Sequence, residues 1–262
     1  MASIVSKTAI TLSSINLSMK RSLRNLKILV LGNPGVGKTS IIKEFICGSF
    51  QNDYEPTLGV DFASRSIALS EEAEDRLNMN IVDTAGDERY QGLSVSYFRN
   101  VDVCVLVFDC TDRSSFESLD KWKDEFIIQA GLSLDNDEYP FVVLCNKIDL
   151  SHERVTTDIE AQAWCQKQHQ SFTYMEVSAK WSHENEDDNI KVDNVFVQIA
   201  EKALTSNIEW SNSSGKQNKH TLLVGKKKKP RKIDEDNQQT PTTNYIEQPF
   251  DSGFCSKCCI IL

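Results

Sequence analysis

The 262-residue chain lacks three features that would each define a class of protein. No apolar run reaches the roughly 18–20 residues that a helix needs to cross a bilayer. No internal repeat is present, which argues against a repeat architecture. Basic residues are in deficit: 29 Lys and Arg stand against 38 Asp and Glu, and the net charge of −9 argues against a nucleic-acid binder.

A disulfide framework is not indicated either, although the chain has eight cysteines. Three of them crowd the last eight residues, and the other five lie within or beside apolar runs, a setting typical of small buried side chains. This distribution indicates a reducing compartment and a chemically modified tail. The five are Cys47, Cys104, Cys110, Cys145 and Cys165.

Composition divides the chain into three parts. Residues 1–24 carry four basic and no acidic residues. We expect a disordered N-terminal extension there, with a transit peptide or a start at Met19 as alternatives. Residues 25–205 form the predicted domain. Residues 206–262 are polar, contain the basic block Lys226–Lys232, and are expected to be a disordered tail.

Short apolar strands alternate with amphipathic segments within the predicted domain. Fully apolar strands such as Val103–Phe108 indicate burial on both faces, as in a parallel sheet. The alternation predicts a doubly wound α/β fold with a mostly parallel, six-stranded sheet flanked by helices. Ligands of such sheets bind beyond the carboxyl ends of the strands. The predicted strands are Lys27–Leu31, Asp61–Leu69, Leu77–Val82, Val103–Phe108, Phe141–Cys145 and Thr173–Val177, and helices are expected to start near Lys38, Ser115, Thr157 and Asp193.

The loop Gly32–Thr39, GNPGVGKT, matches the phosphate-binding pattern G-x-x-x-x-G-K-[ST] between an apolar strand and a helix. Its glycines let backbone N–H groups approach phosphate oxygens, and the helix adds its positive N-terminal end. Lys38 can reach the β- and γ-phosphates, and the Thr39 hydroxyl can bind Mg²⁺. The alternative is an incidental glycine-rich turn.

A second motif, Asp83-Thr84-Ala85-Gly86, follows another apolar strand. A carboxylate in this place can hold Mg²⁺ directly or through water. The N–H group of Gly86 can donate to the γ-phosphate, and that contact ends when the phosphate leaves. By itself the motif could be an ordinary turn.

A third motif, Asn146-Lys147-Ile148-Asp149, follows the strand FVVLC and predicts the base. Guanine presents two adjacent N–H donors that Asp149 can accept, whereas adenine would leave the carboxylate unpaired. The aliphatic stem of Lys147 can cover the base. The run Ser178-Ala179-Lys180 can add a backbone N–H group to the guanine carbonyl. A helix-capping turn is the alternative for the Asn146–Asp149 motif.

These motifs, in this order and together with Thr57, resemble the Ras-like small GTPases. The runs LGVDF (Leu58–Phe62), DERY (Asp87–Tyr90) and YFRN (Tyr97–Asn100) are similar to the Rab subfamily. The runs DEFIIQA, PFVVLCNKIDL and AQAWCQK resemble its late-endosomal and lysosomal members. The resemblance covers about residues 26–205. It implies a GTP/GDP switch with Mg²⁺ as cofactor and with exchange factors, GTPase-activating proteins, GDP-dissociation inhibitors and effectors as partners.

The resemblance also implies roles for single residues. Thr57 would bind Mg²⁺ only while the γ-phosphate is present, Phe50 would pack against guanine, and Tyr54 would lie over the phosphates. Catalytic roles fall to Lys38, Thr57 and Asp87, metal binding to Thr39, Thr57 and Asp83, and the effector surface to Phe62, Val82 and Tyr97. The implied GTP-binding residues are Gly32, Asn33, Pro34, Gly35, Val36, Gly37, Lys38, Thr39, Ser40, Phe50, Tyr54, Thr57, Gly86, Asn146, Lys147, Asp149, Ser178, Ala179 and Lys180.

Three positions depart from the family pattern. The family has a water-orienting glutamine where this chain has Asp87, which predicts slow intrinsic hydrolysis. Pro34 stands in the phosphate loop and removes one backbone donor. Val82 replaces a tryptophan of the effector-reading cluster, and the hairpin Ser70–Asp75 is longer than usual. The Val82 and hairpin changes predict a choice of partners that differs from that of the Rab it most resembles.

The chain ends in Cys258-Cys259-Ile-Ile-Leu. Cys259-Ile-Ile-Leu fits a prenylation motif in which the terminal Leu favours geranylgeranyl, and Cys258-Cys259 fits the double-cysteine ending of Rabs. Stable anchoring needs a second signal, which a second lipid or the block Lys226–Lys232 can supply. That block also resembles a nuclear import signal, and an accidental cysteine-rich terminus is the remaining alternative.

The sequence as a whole predicts a membrane-anchored switch in vesicle traffic. Its predicted place, taken from the resemblance, is the cytoplasmic face of late endosomes, lysosomes or phagosomes, with cycling through the cytosol. Two alternatives stay open. One is a GTP-binding scaffold with negligible hydrolysis, and the other is a different P-loop enzyme such as a nucleoside kinase.

Overall fold

A six-stranded sheet forms the centre of the domain. The computed structural model describes residues 25–50, 55–68, 76–86, 95–132, 139–168, 172–181 and 191–213. Each predicted strand is present within two residues of its expected bounds, because its apolar run fixes its position in the sheet. The strands are β1 Asn25–Leu31, β2 Val60–Ala68, β3 Arg76–Thr84, β4 Val103–Asp109, β5 Phe141–Asn146 and β6 Phe172–Glu176.

The sheet has the order β2-β3-β1-β4-β5-β6. All neighbours run parallel except β2, which is antiparallel to β3. This confirms the predicted doubly wound, mostly parallel fold. The carboxyl ends of β1, β3, β4 and β5 therefore meet at one edge, and the loop Gly32–Thr39 leaves the sheet there between β1 and the first helix.

Six α-helices and one 3-10 helix surround the sheet in the described part of the chain. The helix expected near Ser115 is two helices, which meet at Ser118. Asp112 caps the first of them by accepting a hydrogen bond from the Ser114 N–H group. The short α2 and the 3-10 helix Ile148–Glu153 were not predicted, because neither is long enough to show a periodic pattern. The α-helices are α1 Lys38–Cys47, α2 Val95–Phe98, α3 Arg113–Glu117, α4 Leu119–Ala130, α5 Asp158–Gln168 and α6 Val192–Ser213.

The last helix runs past the boundary that composition placed at residue 205. Its apolar side chains pack into the core as far as Leu204, and the backbone continues in helical form to Ser213. Each further residue adds one backbone hydrogen bond to a helix that is already nucleated, so polar composition alone does not end it. Among the described helices, none is both long enough and apolar enough to cross a bilayer.

Two apolar clusters cover the two faces of the sheet. One packs side chains of α1 and α6 against it, and the other packs side chains of α2, α4 and α5. Four of the five cysteines expected to be buried are buried, but Cys47 is exposed. Cys47 ends α1 just before the left-handed Gly48, where the helix leaves the core.

Several predictions fall outside the described residues. They concern the extension 1–24, Tyr54, the hairpin Ser70–Asp75 and Asp87. The basic block Lys226–Lys232 and the terminal cysteines Cys258 and Cys259 also lie outside them.

Candidate functional site

The loop Gly32–Thr39 is fixed in place by Asn146, the last residue of β5. Gly37 begins the turn into α1 with φ 93°, and a Cβ atom there would lie 2.3 Å from Nδ2 of Asn146. Only glycine fits such an approach. The same Nδ2 donates to the Val36 carbonyl at 2.8 Å. The loop is therefore shaped by a side chain of the sheet, with the N-terminus of α1 behind it.

The Lys38 ammonium is held inside this loop. Nζ donates to the carbonyl oxygens of Gly32 at 2.8 Å and Asn33 at 2.9 Å. Burial lowers the pKa of Lys38 to about 8, and the charge of Asp83 opposes that shift. A buried cation whose contacts are two neutral carbonyls is suited to bind an anion such as a phosphate.

The three predicted metal ligands meet beside Lys38. Thr39 donates through Oγ1 to Oδ2 of Asp83 at 2.6 Å. Its Oγ1 also lies 2.6 Å from Oγ1 of Thr57, which must be the donor of that second bond, since the Thr39 proton points to Asp83. Two hydroxyls and one carboxylate, taken from three separate segments, thus form one cluster.

One oxygen of this cluster is left over. Oδ1 of Asp83 is buried and has no hydrogen-bond partner among the described residues. Burial raises the pKa of Asp83 to about 6, while the Thr39 hydrogen bond and the Lys38 charge lower it. An orphaned carboxylate oxygen beside two hydroxyls is a donor set that suits a hard cation such as Mg²⁺.

The described residues contain no cluster of three or more His, Cys, Asp or Glu that could hold a metal. A single carboxylate is nevertheless the pattern expected for Mg²⁺ at phosphate sites, because substrate phosphates and water complete its shell. The residues present therefore fit the predicted cofactor.

Hydrogen bonds hold the Oδ1 side of the Asp149 carboxylate and leave its Oδ2 side for a ligand. Ser178 Oγ donates to Oδ1 of Asp149 at 2.7 Å, and the Trp181 N–H group donates to the same hydroxyl at 3.2 Å. The Ala179 N–H group points to Oδ1 of Asn146 at 3.4 Å. The Asn146–Asp149 and Ser178–Lys180 motifs are therefore joined, and the Oδ2 side of Asp149 makes no hydrogen bond within the described part of the chain.

Sequence reasoning missed Asp109, which pairs with Lys147. Lys147 has φ 63°, and its Nζ lies 2.6 Å from Oδ2 of Asp109. The other oxygen of Asp109 accepts from the Thr111 N–H and hydroxyl groups at 2.8 Å each. The signal was present, since Asp109 ends the apolar strand β4 at the same edge of the sheet. The ion pair directs the stem of Lys147.

Gly86 lies directly against the phosphate loop. A Cβ atom there would be 2.2 Å from the Pro34 nitrogen and 2.4 Å from the Asn33 carbonyl carbon. The motif Asp83–Gly86 is therefore in contact with the loop, as its predicted γ-phosphate role requires.

The remaining predicted site residues lie around this edge. Val36 is buried, Ser40 and Phe50 are half-buried, and Pro34, Gly35 and Lys180 are exposed. Phe50 packs against the cluster on the α1 and α6 face. Tyr54 and Asp87 lie outside the described residues.

Of the three residues predicted for the effector surface, two have their rings close together and the third is buried. The rings of Phe62 and Tyr97 lie 5.7 Å apart, and 59% of Phe62 is exposed. The prediction that Val82 belongs to this surface is wrong, because Val82 is only 2% exposed and packs in the core. Val82 stands opposite Phe62 in the β2–β3 register, and its short side chain stays below the surface where a tryptophan would extend farther.

The sequence profile of the Ras family matches residues 27–205, which include all the site residues just described. The chain belongs to the Ras family. It is a Rab7-like small GTPase, an enzyme that hydrolyses GTP and acts as a switch in vesicle traffic. GTPases of this family generally act on GTP together with Mg²⁺.

Curated relatives support the same placement. Ras-related protein Rab-7a of Dictyostelium discoideum is 42% identical over 179 residues, which cover 68% of this chain and 82% of the relative. Ras-related protein Rab7 of Drosophila melanogaster is 43% identical over 185 residues, covering 71% and 82%. GTP-binding protein yptV5 of Volvox carteri is 43% identical over 187 residues, covering 71% and 85%.

Proposed function

We propose that this Ras-family chain binds GTP and Mg²⁺ at the carboxyl edge of its sheet and hydrolyses GTP slowly, as a membrane-anchored switch of the endolysosomal system. The observation that carries the site is the meeting of Thr39, Thr57 and Asp83 beside the buried Lys38. These four come from the loop, the segment before β2 and the end of β3.

Each loop has a role in holding the nucleotide. Backbone N–H groups of Gly32–Thr39 and the N-terminus of α1 bind the phosphates, with Ser40 in the first turn of that helix. Asp149 accepts the two guanine donors, and Lys147 covers the base from its anchor on Asp109. Phe50 and Tyr54 complete the pocket. The run Ser178–Lys180 offers a backbone N–H group to the guanine carbonyl.

Mg²⁺ would be held by Thr39, Thr57 and Asp83, and when bound it supplies charge that offsets the phosphates. Thr57 links the cofactor to the switch. Its hydroxyl is positioned only while its segment is closed onto Thr39, so loss of the γ-phosphate releases the surface that follows it, from Leu58 to Phe62. Effectors that read Phe62 and Tyr97 would therefore distinguish the two nucleotide states.

In the hydrolysis step water attacks the γ-phosphorus while its bond to the bridging oxygen breaks, giving phosphate and GDP. Lys38 stabilises the charge that develops on the phosphate oxygens. Asp87 occupies the place of the water-orienting residue. An ionised carboxylate cannot donate a hydrogen bond and repels the γ-phosphate, so intrinsic turnover is slow. An activating protein that supplies both an arginine and a glutamine in trans would restore it.

The proposed membrane anchor is the C-terminal tail. Geranylgeranyl on Cys259, with Cys258 or Cys255 as a second site, would attach the protein to the cytoplasmic face of late endosomes, lysosomes or phagosomes. The block Lys226–Lys232 adds attraction to anionic lipids. Exchange factors, GDP-dissociation inhibitors and activating proteins would drive the cycle between membrane and cytosol.

Release of a fluorescent GDP analogue, measured in Mg²⁺ and in EDTA, tests the metal site. We expect EDTA to speed release from the wild type. The variant Asp83→Asn is expected to release GDP roughly tenfold faster than the wild type even in Mg²⁺, because it loses the only carboxylate among the proposed metal ligands. It should also respond little to EDTA.

The matched control is Asp61→Asn, which removes the exposed carboxylate opposite Asp83 in the β2–β3 register. The Asp61→Asn variant should release GDP as the wild type does, in Mg²⁺ and in EDTA. Equal release from Asp83→Asn and Asp61→Asn would show that Asp83 does not hold the cofactor.

A further inference from the structure

Trp122 of helix α4 and Ser118, the N-cap residue of this helix, hold the side chain of Asn33 in the phosphate loop. Oδ1 of Asn33 accepts a hydrogen bond from the Trp122 indole N–H group at 2.8 Å. Nδ2 of Asn33 donates to Oγ of Ser118 at 3.1 Å. Asn33 lies 89 positions before Trp122 in the chain, so this is a tertiary contact between the loop and a helix on the outside of the sheet.

The donors and acceptors of this contact permit only one arrangement. An indole N–H group can only donate, so the carboxamide must turn its oxygen to Trp122. Ser118 gives its own proton to the Ser114 carbonyl at 2.7 Å and is left to accept from Nδ2. Both ends of the Asn33 amide are therefore occupied, and its side chain is locked in one orientation.

Trp122 is itself held firmly. Its side chain is almost fully buried, and it shares a cluster with Leu119 and Phe126, the other buried residues of α4. Ser118 is the N-cap residue of α4 and stands four positions before Trp122, so the two side chains lie on the same side. The contact with Asn33 thus joins the loop to a helix that is packed into the core.

The locked residue lies between two groups that the GTPase cycle uses. The Asn33 carbonyl accepts a hydrogen bond from Lys38 Nζ at 2.9 Å. Gly86 packs on the peptide between Asn33 and Pro34, where an added Cβ would be 2.2 Å from the Pro34 nitrogen. A movement of Asn33 would therefore displace both the phosphate-binding lysine and the loop beside Gly86.

We propose that Trp122 is a positioning residue for the phosphate loop. It acts through Asn33 and slows the dissociation of guanine nucleotide. The inference rests on the proposed function in one respect, namely that Gly32–Thr39 binds the phosphates. Without the indole donor the carboxamide can rotate, the Asn33 peptide is less well fixed, and the loop binds phosphate from a less organised state.

The test is a double-mutant cycle read by GDP release. Trp122→Phe keeps an aromatic ring in the buried place and removes the N–H donor. We expect it to speed release roughly three- to tenfold, the factor expected for one hydrogen bond. Asn33→Ala should speed release as well. In the Asn33→Ala background, Trp122→Phe should add nothing, because the bond it removes no longer exists.

The matched control is Trp164→Phe. Trp164 donates through its indole N–H to Asp120 at 3.2 Å and packs on Phe116 and Phe172, away from the loop. Its variant loses the same kind of donor and should release GDP as the wild type does. The proposal would be overturned if Trp122→Phe and Trp164→Phe sped GDP release equally. It would also be overturned if Trp122→Phe sped release as much in the Asn33→Ala background as in the wild type, since Trp122 would then act only through packing.

An NMR signature separates positioning from stability. The indole N–H resonance of Trp122, assigned as the peak absent from Trp122→Phe, should shift in Asn33→Ala while the Trp164 peak stays in place. If Trp122→Phe does not fold, Ser118→Ala serves instead, since it removes the second tether and is also expected to speed release. A wild type that fails to bind GDP would overturn the proposed function, whereas a wild type that binds GDP and variants that release it unchanged would overturn only this inference.

Discussion

A single side chain, Asp87, sets the expected rate of the intrinsic reaction. Water positioning needs a group that both accepts from the attacking water and tolerates the γ-phosphate. A glutamine does both, whereas a carboxylate adds a negative charge next to another. Lys38, buried and held by two carbonyls, is ready to stabilise the phosphate whichever residue stands at 87.

We predict that Asp87→Gln raises the single-turnover rate of GTP hydrolysis, without an activating protein, roughly ten- to hundredfold. Asp87→Ala is the control, because it removes the negative charge without providing a donor and an acceptor. Its rate should stay well below that of Asp87→Gln. A wild type that already hydrolyses GTP as fast as Asp87→Gln would show that Asp87 is no obstacle and would remove the main support for a scaffold with negligible hydrolysis.

At the scale of elements, the candidate site lies at the strand ends, and the predicted effector surface lies on the β2–β3 pair. Asp83 and Asn146 sit at the ends of β3 and β5, where apolar strands stop at the carboxyl edge. The rings of Phe62 on β2 and Tyr97 on α2 lie 5.7 Å apart, and Val82 stands opposite Phe62 in the β2–β3 register. Phe62 is therefore exposed and Val82 buried, although the two are cross-strand neighbours on one face of the sheet.

Two substitutions on this pair separate core from surface. We predict that Val82→Ala lowers the free energy of unfolding by about 2 kcal/mol, because it opens a cavity in a packed cluster. Phe62→Ala should cost less than about 1 kcal/mol and should abolish binding of partners that select the GTP state. Urea unfolding and a pull-down with GTP-loaded protein measure the two effects. The assignment of Val82 to the core would be refuted by a Val82→Ala variant of wild-type stability that has lost partner binding.

The strands, and the positions of the motifs that follow them, could be predicted from the sequence, because a buried parallel strand needs a continuous apolar run. Asp109 followed from the same rule and was overlooked. The contact of Trp122 with Asn33 could not be predicted, since it depends on how α4 packs across the sheet. The burial of Val82 could not be predicted either, since it depends on how its short side chain packs in its cluster.

At the scale of the whole molecule, the domain is the switch, and the tail is proposed to determine the membrane to which it binds. The Ras-family match ends at residue 205, and α6 continues to Ser213 before the tail. The functions of the tail were predicted from its lysine block and terminal cysteines and from the resemblance of its ending to that of Rabs. They stay predictions, since residues 214–262 lie outside the described part of the chain.

Localisation of a tagged full-length protein tests the anchor. We predict that the wild type lies on late endosomal, lysosomal or phagosomal membranes and that Cys258→Ser/Cys259→Ser is wholly cytosolic, because it has lost the prenylated cysteines. Ser256→Ala is the control in the same tail and should stay on membranes. Nuclear accumulation of the double variant would favour the import reading of Lys226–Lys232, and membrane retention would argue against prenylation.

The central claim is that this is a switch for guanine nucleotides, and its base selectivity tests that claim most directly. Asp149 Oδ1 accepts a hydrogen bond from the Ser178 hydroxyl, so the other side of its carboxyl group is the one proposed to bind the base. In Asp149→Asn the amide oxygen would keep Ser178 and the amide N–H₂ would face the base. Xanthine, which carries a carbonyl in place of the guanine amino group, would then fit better than guanine.

The measurement is competition binding of GDP, ADP and xanthosine diphosphate to the wild type and to Asp149→Asn. The wild type is predicted to prefer GDP over ADP by roughly 10⁴-fold. Asp149→Asn is predicted to prefer xanthosine diphosphate over GDP. A wild type that binds ADP as tightly as GDP would contradict the account and would favour a different P-loop enzyme.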